Sequence, residues 1–226
     1  MAIQTLSFTL PDGRNLTAEL NRAVAAGYTG RDQALVQAHV DELAEQGIAP
    51  PPHIPMLFPV LPTLVTNAET VAVVGENSTP EIEIALFQSG GKTYLTVASD
   101  QTDRVVEAQD ITLSKNVCPK IVGREAWLLS EISEHIGELT LTARCGDVRL
   151  QHGALSMMMA PEAILDFVDA HDGPEREGRI VFSGTVPTDA QPPKGPVTIE
   201  LELADPVFKR RILHNYRLQV LGEYFT

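Results

Sequence analysis

Apolar and polar residues alternate along much of this chain, and the alternation predicts strands. Residues 3–10 alternate and then meet Pro11-Asp12-Gly13, a strand closed by a tight turn. Residues 70–98 read as three strands, with turns at 75–80 and 89–91. Residues 138–150 read as strand, turn, strand around Gly146-Asp147, residues 179–182 as a short strand, and 197–203 and 211–220 as two closing strands. Helical spacing is rarer. Over 31–46 an apolar stripe of Ala34, Leu35, Ala38, Leu43 and Ala44 predicts a helix stopped at Gly47. A second helix is expected over 124–135, with Leu128, Leu129 and Ile132 as its apolar face. A third runs over 161–170, with Pro161 at the favoured first position. Residues 16–26 are ambiguous. Prolines make 49–55 and 187–196 extended loops, and residues 56–61, interrupted by Pro59, form a short buried segment. Strands outnumber helices and most connections are of hairpin length. The expected class is therefore α+β, mainly β, built on a mixed and largely antiparallel sheet.

Composition narrows the partners. Of 226 residues 43% are hydrophobic but only 5% aromatic, so Val, Ile and Leu fill the core. The net charge of −13 repels nucleic acid and acidic membranes, but it leaves room for a small anion where a metal and local cations reverse the field. Cys118 and Cys145 form no Cys-x-x-Cys motif, which argues against a zinc or redox site. No apolar run reaches the roughly 20 residues of a membrane span, and the N-terminus has no signal-peptide pattern. The expectation is a cytoplasmic protein with reduced thiols.

The candidate chemistry is concentrated in Pro80-Glu81-Ile82-Glu83-Ile84-Ala85-Leu86 and Ser99-Asp100-Gln101-Thr102-Asp103-Arg104. On a strand Glu81 and Glu83 share a face, and a return strand over 92–98 would bring Asp100 beside them. Three hard oxygen ligands suit Mg²⁺ or Mn²⁺. The same spacing also arises on any strand with a solvated face, as in Glu200-Leu201-Glu202. His39 and Glu42, three apart on the first helix, have the spacing of an oriented base, or of two residues on a polar face. Lys115 and Lys120 stand around a turn expected at Cys118-Pro119, where one ammonium could neutralise an oxyanion; surface lysines are the commoner alternative. Gly184-Thr185 at a strand end could meet a carboxylate or simply turn the chain. Cys118 and residues 157–159 read as core filler, and His53 and His152 have no assigned role.

Taken in order, these pieces resemble the fumarylacetoacetate hydrolase superfamily over about residues 27–220, and within it an outlying bacterial branch, the domain of unknown function 2848. The resemblance implies a curled β-roll with a few peripheral helices, usually a homodimer, with residues 1–26 as an N-terminal strand and cap region and 27–226 as the catalytic domain. It implies a divalent metal on Glu81, Glu83 and Asp100: Mg²⁺ or Mn²⁺, with Ca²⁺ able to take its place in a crystal. It places His39, Glu42 and Lys115 in catalysis, and Arg31, Arg104, Gly184 and Thr185 against substrate. The implied activity is metal-dependent C–C hydrolysis of a 2-oxo acid or 1,3-dicarbonyl compound. Decarboxylation, hydration, tautomerisation or binding without turnover are the alternatives. Three departures stand out. Val36-Gln37 stands near the place of the superfamily's Asn-Tyr, the segment from Lys115 to Cys118-Pro119 is short, and Val186 replaces the proline after Gly-Thr.

Overall fold

A computed structural model describes residues 3–45 and 50–222; within the first helix, the side chains of His39, Glu42 and Leu43 lie outside the described residues, as does Gly47. The architecture is mainly β. The principal sheet curls into a half-barrel. Its strands run in the order Met56–Val60, Arg22–Gly27, Arg179–Phe182, Ile82–Ser89, Lys92–Ser99, Lys120–Val122 and Val65–Thr66, with Trp127–Leu128 also paired to Lys92–Ser99. A second sheet of five strands runs Val148–Ala154, Thr140–Cys145, Val197–Asp205, Arg210–Leu221 and Thr70–Val74. Both sheets are mixed. Arg179–Phe182 lies parallel to Arg22–Gly27, and Arg210–Leu221 lies parallel to Thr70–Val74, whereas the long hairpins are antiparallel.

The strand Ile82–Ser89 is buried on both faces, which is why the alternation there separates two different cores. Ile82, Ile84 and Leu86 face the second sheet and pack in one cluster with Leu95, Val97, Leu141, Leu201 and Ile212. Ala85 and Phe87 belong to the other face, where the hairpin Gln4–Thr9 and Asn15–Leu20 covers the sheet. Phe8 stacks on Phe87 at 4.4 Å between ring centroids. Glu81 and Glu83 share the parity of Ala85 and Phe87, so the carboxylates continue the face that farther along is apolar. Pro59 sits in Met56–Val60, an edge strand of the principal sheet, where a missing N–H breaks no interior ladder. The ambiguous stretch 16–26 holds two strands. Its second, Arg22–Gly27, is an integral sheet strand, and the expected division between residues 26 and 27 falls inside it.

Two helical expectations need correction. The first helix spans Gln33–Glu45, but among its described side chains the buried ones are Val36 and Val40, while Ala34, Leu35, Ala38 and Ala44 are exposed. Val36 closes against Gly30, where an added Cβ would come 2.8 Å from its Cγ2. The seam is therefore a β-branched i, i+4 pair rather than the alanine–leucine stripe. The stretch 124–135 is not one helix. Trp127 and Leu128 pair with Leu95 and Tyr94, Leu129–Ile132 makes a single turn, and a 3₁₀ segment follows with a non-helical kink at His135. Strand pairing and the burial of Trp127 beneath Arg210, whose guanidinium lies 4.5 Å from the indole centroid, override local helix preference. The tripled methionines are core only in part: Met158 is buried, and Met157 is 42% exposed. Among the described residues no helix is long and apolar enough to cross a membrane.

Candidate metal centre

The antiparallel register Ile82↔Ser99 and Glu83↔Ala98 places the start of one strand beside the end of the next. Glu81 precedes the first and Asp100 follows the second, and the Asp100 N–H donates to the Glu81 carbonyl at 3.0 Å. One oxygen each of Glu81, Glu83 and Asp100 consequently lies within 4.8 Å of the others. Glu83 and Asp100 are buried, and Glu81 retains 12% exposure of its side chain. By contrast Glu200 and Glu202, which repeat the spacing, lie along a solvated strand face.

The residues after Asp100 are ordered by local chemistry. Thr102 donates its hydroxyl to the Asp100 carbonyl at 2.8 Å and pairs through its backbone with Thr79. Asp103 caps the helix Arg104–Glu107 by accepting from the N–H groups of Val105 and Val106. Arg104, the first residue of that helix, reaches back to Glu81 Oε1 at 2.9 Å and also holds Glu107 at 2.7 Å; its Nε donates to Thr79 Oγ1 at 2.6 Å. Lys115 lies near the end of the helix Ile111–Asn116, capped by Asp110, and the chain bends at Val117 and Cys118 between it and Lys120, so the two lysines stand around that turn. Its ammonium is buried, 2.5 Å from Asp100 Oδ2 and 3.2 Å from Glu81 Oε2.

Electrostatics separates the two glutamates. Burial alone would raise the Glu81 carboxyl, but Lys115 and Arg104 hold it down at about 2. Among the described residues Glu83 has no such direct cation. Burial and the neighbouring Asp100 push its carboxyl well above the usual range, and its hydrogen-bond donor is the Gly184 N–H at 2.5 Å. Burial opposes the Lys115 charge, yet Asp100 and Glu81 raise its pKa above the ordinary lysine value.

The other expected residues fall as follows. Gly184 adopts φ +89°, and a Cβ there would stand 2.3 Å from Thr29 Oγ1 and 2.9 Å from the Ala26 carbonyl, so only glycine brings this N–H to Glu83. Thr185 donates its hydroxyl to the Ile82 carbonyl at 2.7 Å, which commits that hydrogen to the scaffold. Arg31 is exposed, and its N–H donates to the Met157 carbonyl. His39 and Glu42 lie on the helix Gln33–Glu45, and their side chains are outside the described residues.

Three further residues belong to this region. Lys120 is fully buried, 2.8 Å from Asp100 Oδ1. Tyr28, at φ +58° and partly buried, has its phenol pKa raised by burial and by Glu107, with Lys115 and Glu81 also within its field. Gln151 accepts from the Ile82 N–H at 2.8 Å and donates to Thr185 Oγ1 and the Val186 carbonyl, which ties the glutamate strand to the loop after Phe182. A second lysine near Cys118-Pro119 was a visible signal for Lys120. A lone glutamine in a strand gave none for Gln151. Gln151→Leu is expected to cost about 1–3 kcal/mol for each buried group left unpaired, read as a fall in the urea midpoint; an unchanged midpoint would contradict the bridging role.

This arrangement accompanies a family match. The family described as "Protein of unknown function (DUF2848)" matches residues 26–216. The chain belongs to the DUF2848 family. No curated protein matches it. Solved structures similar to this DUF2848 chain include a fumarylacetoacetate hydrolase family protein from yeast, at 14% identity over 89% of this chain and 94% of that one, with a TM-score of 0.64. Another is 2-hydroxyhepta-2,4-diene-1,7-dioate isomerase from Mycobacterium marinum, at 13% identity over 99% and 100%, TM-score 0.64. A third is 2-keto-3-deoxyarabinonate dehydratase, at 17% identity over 90% and 74%, TM-score 0.64. At these identities the likeness is one of fold, and the DUF2848 chain has the fumarylacetoacetate hydrolase fold.

Proposed function

We propose that this protein is a metal-dependent enzyme acting on a small 2-oxo acid or 1,3-dicarbonyl acid, with C–C hydrolysis as the favoured reaction. The observation that carries the reading is the convergence of three carboxylates, two of them sharing one buried ammonium. The donor set fits a hard dication such as Mg²⁺ or Mn²⁺. It is all oxygen, and one oxygen from each of the three carboxylates lies within 4.8 Å of the others. Lys120 pairs with Asp100 Oδ1 at 2.8 Å and also donates to the Gln101 carbonyl at 2.6 Å. Glu81, Glu83 and Asp100 would hold the ion, which when bound supplies Lewis-acid polarisation of the substrate's oxygens.

The chain's own groups do the rest. An ammonium has three hydrogens; two of those on Lys115 face Glu81 and Asp100, which leaves one to stabilise the charge of a departing enolate. Gly184 fixes Glu83, and Thr185 holds the strand beneath it. Arg104 and Arg31 are assigned to the substrate carboxylate: the planar fork of Arg31 suits bidentate pairing, and the contacts Arg104 makes to Glu81, Glu107 and Thr79 use Nη1 and Nε, which leaves Nη2 to donate. His39, with Glu42 three residues on, is assigned as the base that takes a proton from water. His39→Ala is expected to lower kcat by roughly 10²–10⁴-fold while leaving Mn²⁺ affinity intact; unchanged turnover would remove His39 from that role.

The similar structures bear the names of a hydrolase family, an isomerase and a dehydratase, so the reaction must be read experimentally. The test is single-turnover product analysis with acylpyruvates, oxaloacetate and unsaturated 2-oxo diacids, with Mn²⁺ and with EDTA. Metal-dependent cleavage of an acylpyruvate is expected, and cleavage that survives EDTA would contradict the mechanism. A second reading is a binding protein without turnover. It is favoured by Val36, a packing residue standing near the place of the superfamily's Asn-Tyr, and it predicts metal and 2-oxo acid binding with no product from the panel.

A further inference from the structure

Lys120 stands out because nothing in the proposed chemistry uses it. Its side chain has no solvent exposure. It enters from the strand Lys120–Val122, opposite to Lys115, so that Asp100 is flanked by one ammonium at Oδ2 and another at Oδ1. It is also pinned from behind. Its ammonium donates to the Gln101 carbonyl, and the Gln101 side chain is held by Tyr216 at 2.7 Å and Ser78 at 3.0 Å. Burying a lysine this completely is costly unless its charge serves a neighbour.

Asp100 does not require two cations, since Lys115 already pairs with it. The formal charges around the centre show what the second one changes. With Glu83 ionised, as a ligand to a dication would be, Glu81, Glu83, Asp100 and Glu107 face Lys115, Lys120 and Arg104, a deficit of one positive charge. A dication added to that set turns the deficit into an excess of one. Without Lys120 the same dication would bring the cluster only to neutrality.

We infer that Lys120 is the positioning residue that sets this surplus: it weakens the hold on the dication and in return makes the loaded centre select a planar, doubly charged oxyanion, the charge type of a 2-oxo acid enolate. This deepens the proposed function and rests on it. The two effects have opposite signs because a fixed buried cation repels the metal and attracts the anion across the same short distances, where the effective dielectric is low. A purely structural lysine would have no such signature, since its loss would loosen both.

The test uses calorimetric titration of the full chain, first with Mn²⁺ and then with oxalate, a planar dianion, on the Mn²⁺-saturated protein. Lys120→Met removes the charge and the donor. Lys120→Gln removes the charge but keeps a donor for the Gln101 carbonyl. Circular dichroism verifies that each variant is folded. Both variants are expected to bind Mn²⁺ roughly tenfold tighter and oxalate roughly tenfold more weakly than the parent. Parallel loss of both affinities, unchanged oxalate affinity, or failure of both variants to fold would each overturn the inference. A parent chain that takes up no Mn²⁺ would overturn the proposed function and this inference together. A parent that binds Mn²⁺ beside variants with unaltered oxalate binding would remove only the inference.

Discussion

Asp100→Asn is expected to destabilise the protein by about 3–5 kcal/mol and to abolish Mn²⁺ binding. The size follows from what the carboxylate neutralises. Lys115 and Lys120 are both buried, and both lie against Asp100. Removing the acid's charge leaves Lys115 with Glu81 alone and Lys120 with no carboxylate among its contacts, while the asparagine amide would turn hydrogens toward an ammonium. Chemical denaturation of the apo protein reads the first effect and Mn²⁺ calorimetry the second. A variant of parental stability would show that the two lysines do not depend on Asp100, and retained Mn²⁺ affinity would remove it from the ligand set.

Lys115→Met is expected to act differently. Its two carboxylates keep other cations, Arg104 on Glu81 and Lys120 on Asp100, so the variant should fold and still bind Mn²⁺. What it loses is the hydrogen that faces a developing enolate, and the removal of one such donor costs roughly 10²–10³ in kcat. Steady-state kinetics on the best acylpyruvate of the panel measures this. A fall in kcat at nearly constant KM is the predicted pattern, because the interaction strengthens as charge develops. An effect confined to KM would make Lys115 a ground-state contact instead.

The contrast between these residues explains how much of the centre was legible in the amino-acid order. The Glu81–Glu83 parity and the return strand to Asp100 depend only on the two-residue period of a strand and a short hairpin, and both are local. The helix Pro161–Asp172 and the strand Arg179–Phe182 were visible for the same reason. Positions that depend on distant partners were not. Trp127 is drawn into a strand by Leu95, and Val36 is buried by Gly30, so the helical pattern over 31–46 misplaces the buried residues, while the one over 124–135 misplaces the element, although Leu129 and Ile132 are buried as that pattern expects. Lys120 is separated from Asp100 by two short helices, and Gln151 meets Ile82 across 69 residues. Neither contact leaves a trace in local periodicity. Gly184 was noticed as a turn glycine; its close approach to Thr29 and its hold on Glu83 follow only from the packing of three strands.

The account depends most on a dication seated among three acidic side chains, and anomalous scattering from a crystal soaked in Mn²⁺ tests that directly. A single peak within coordination distance of Glu81, Glu83 and Asp100 is the predicted result. Density free of any such peak at millimolar Mn²⁺, with the ammonium groups of Lys115 and Lys120 still resting on Asp100, would contradict it.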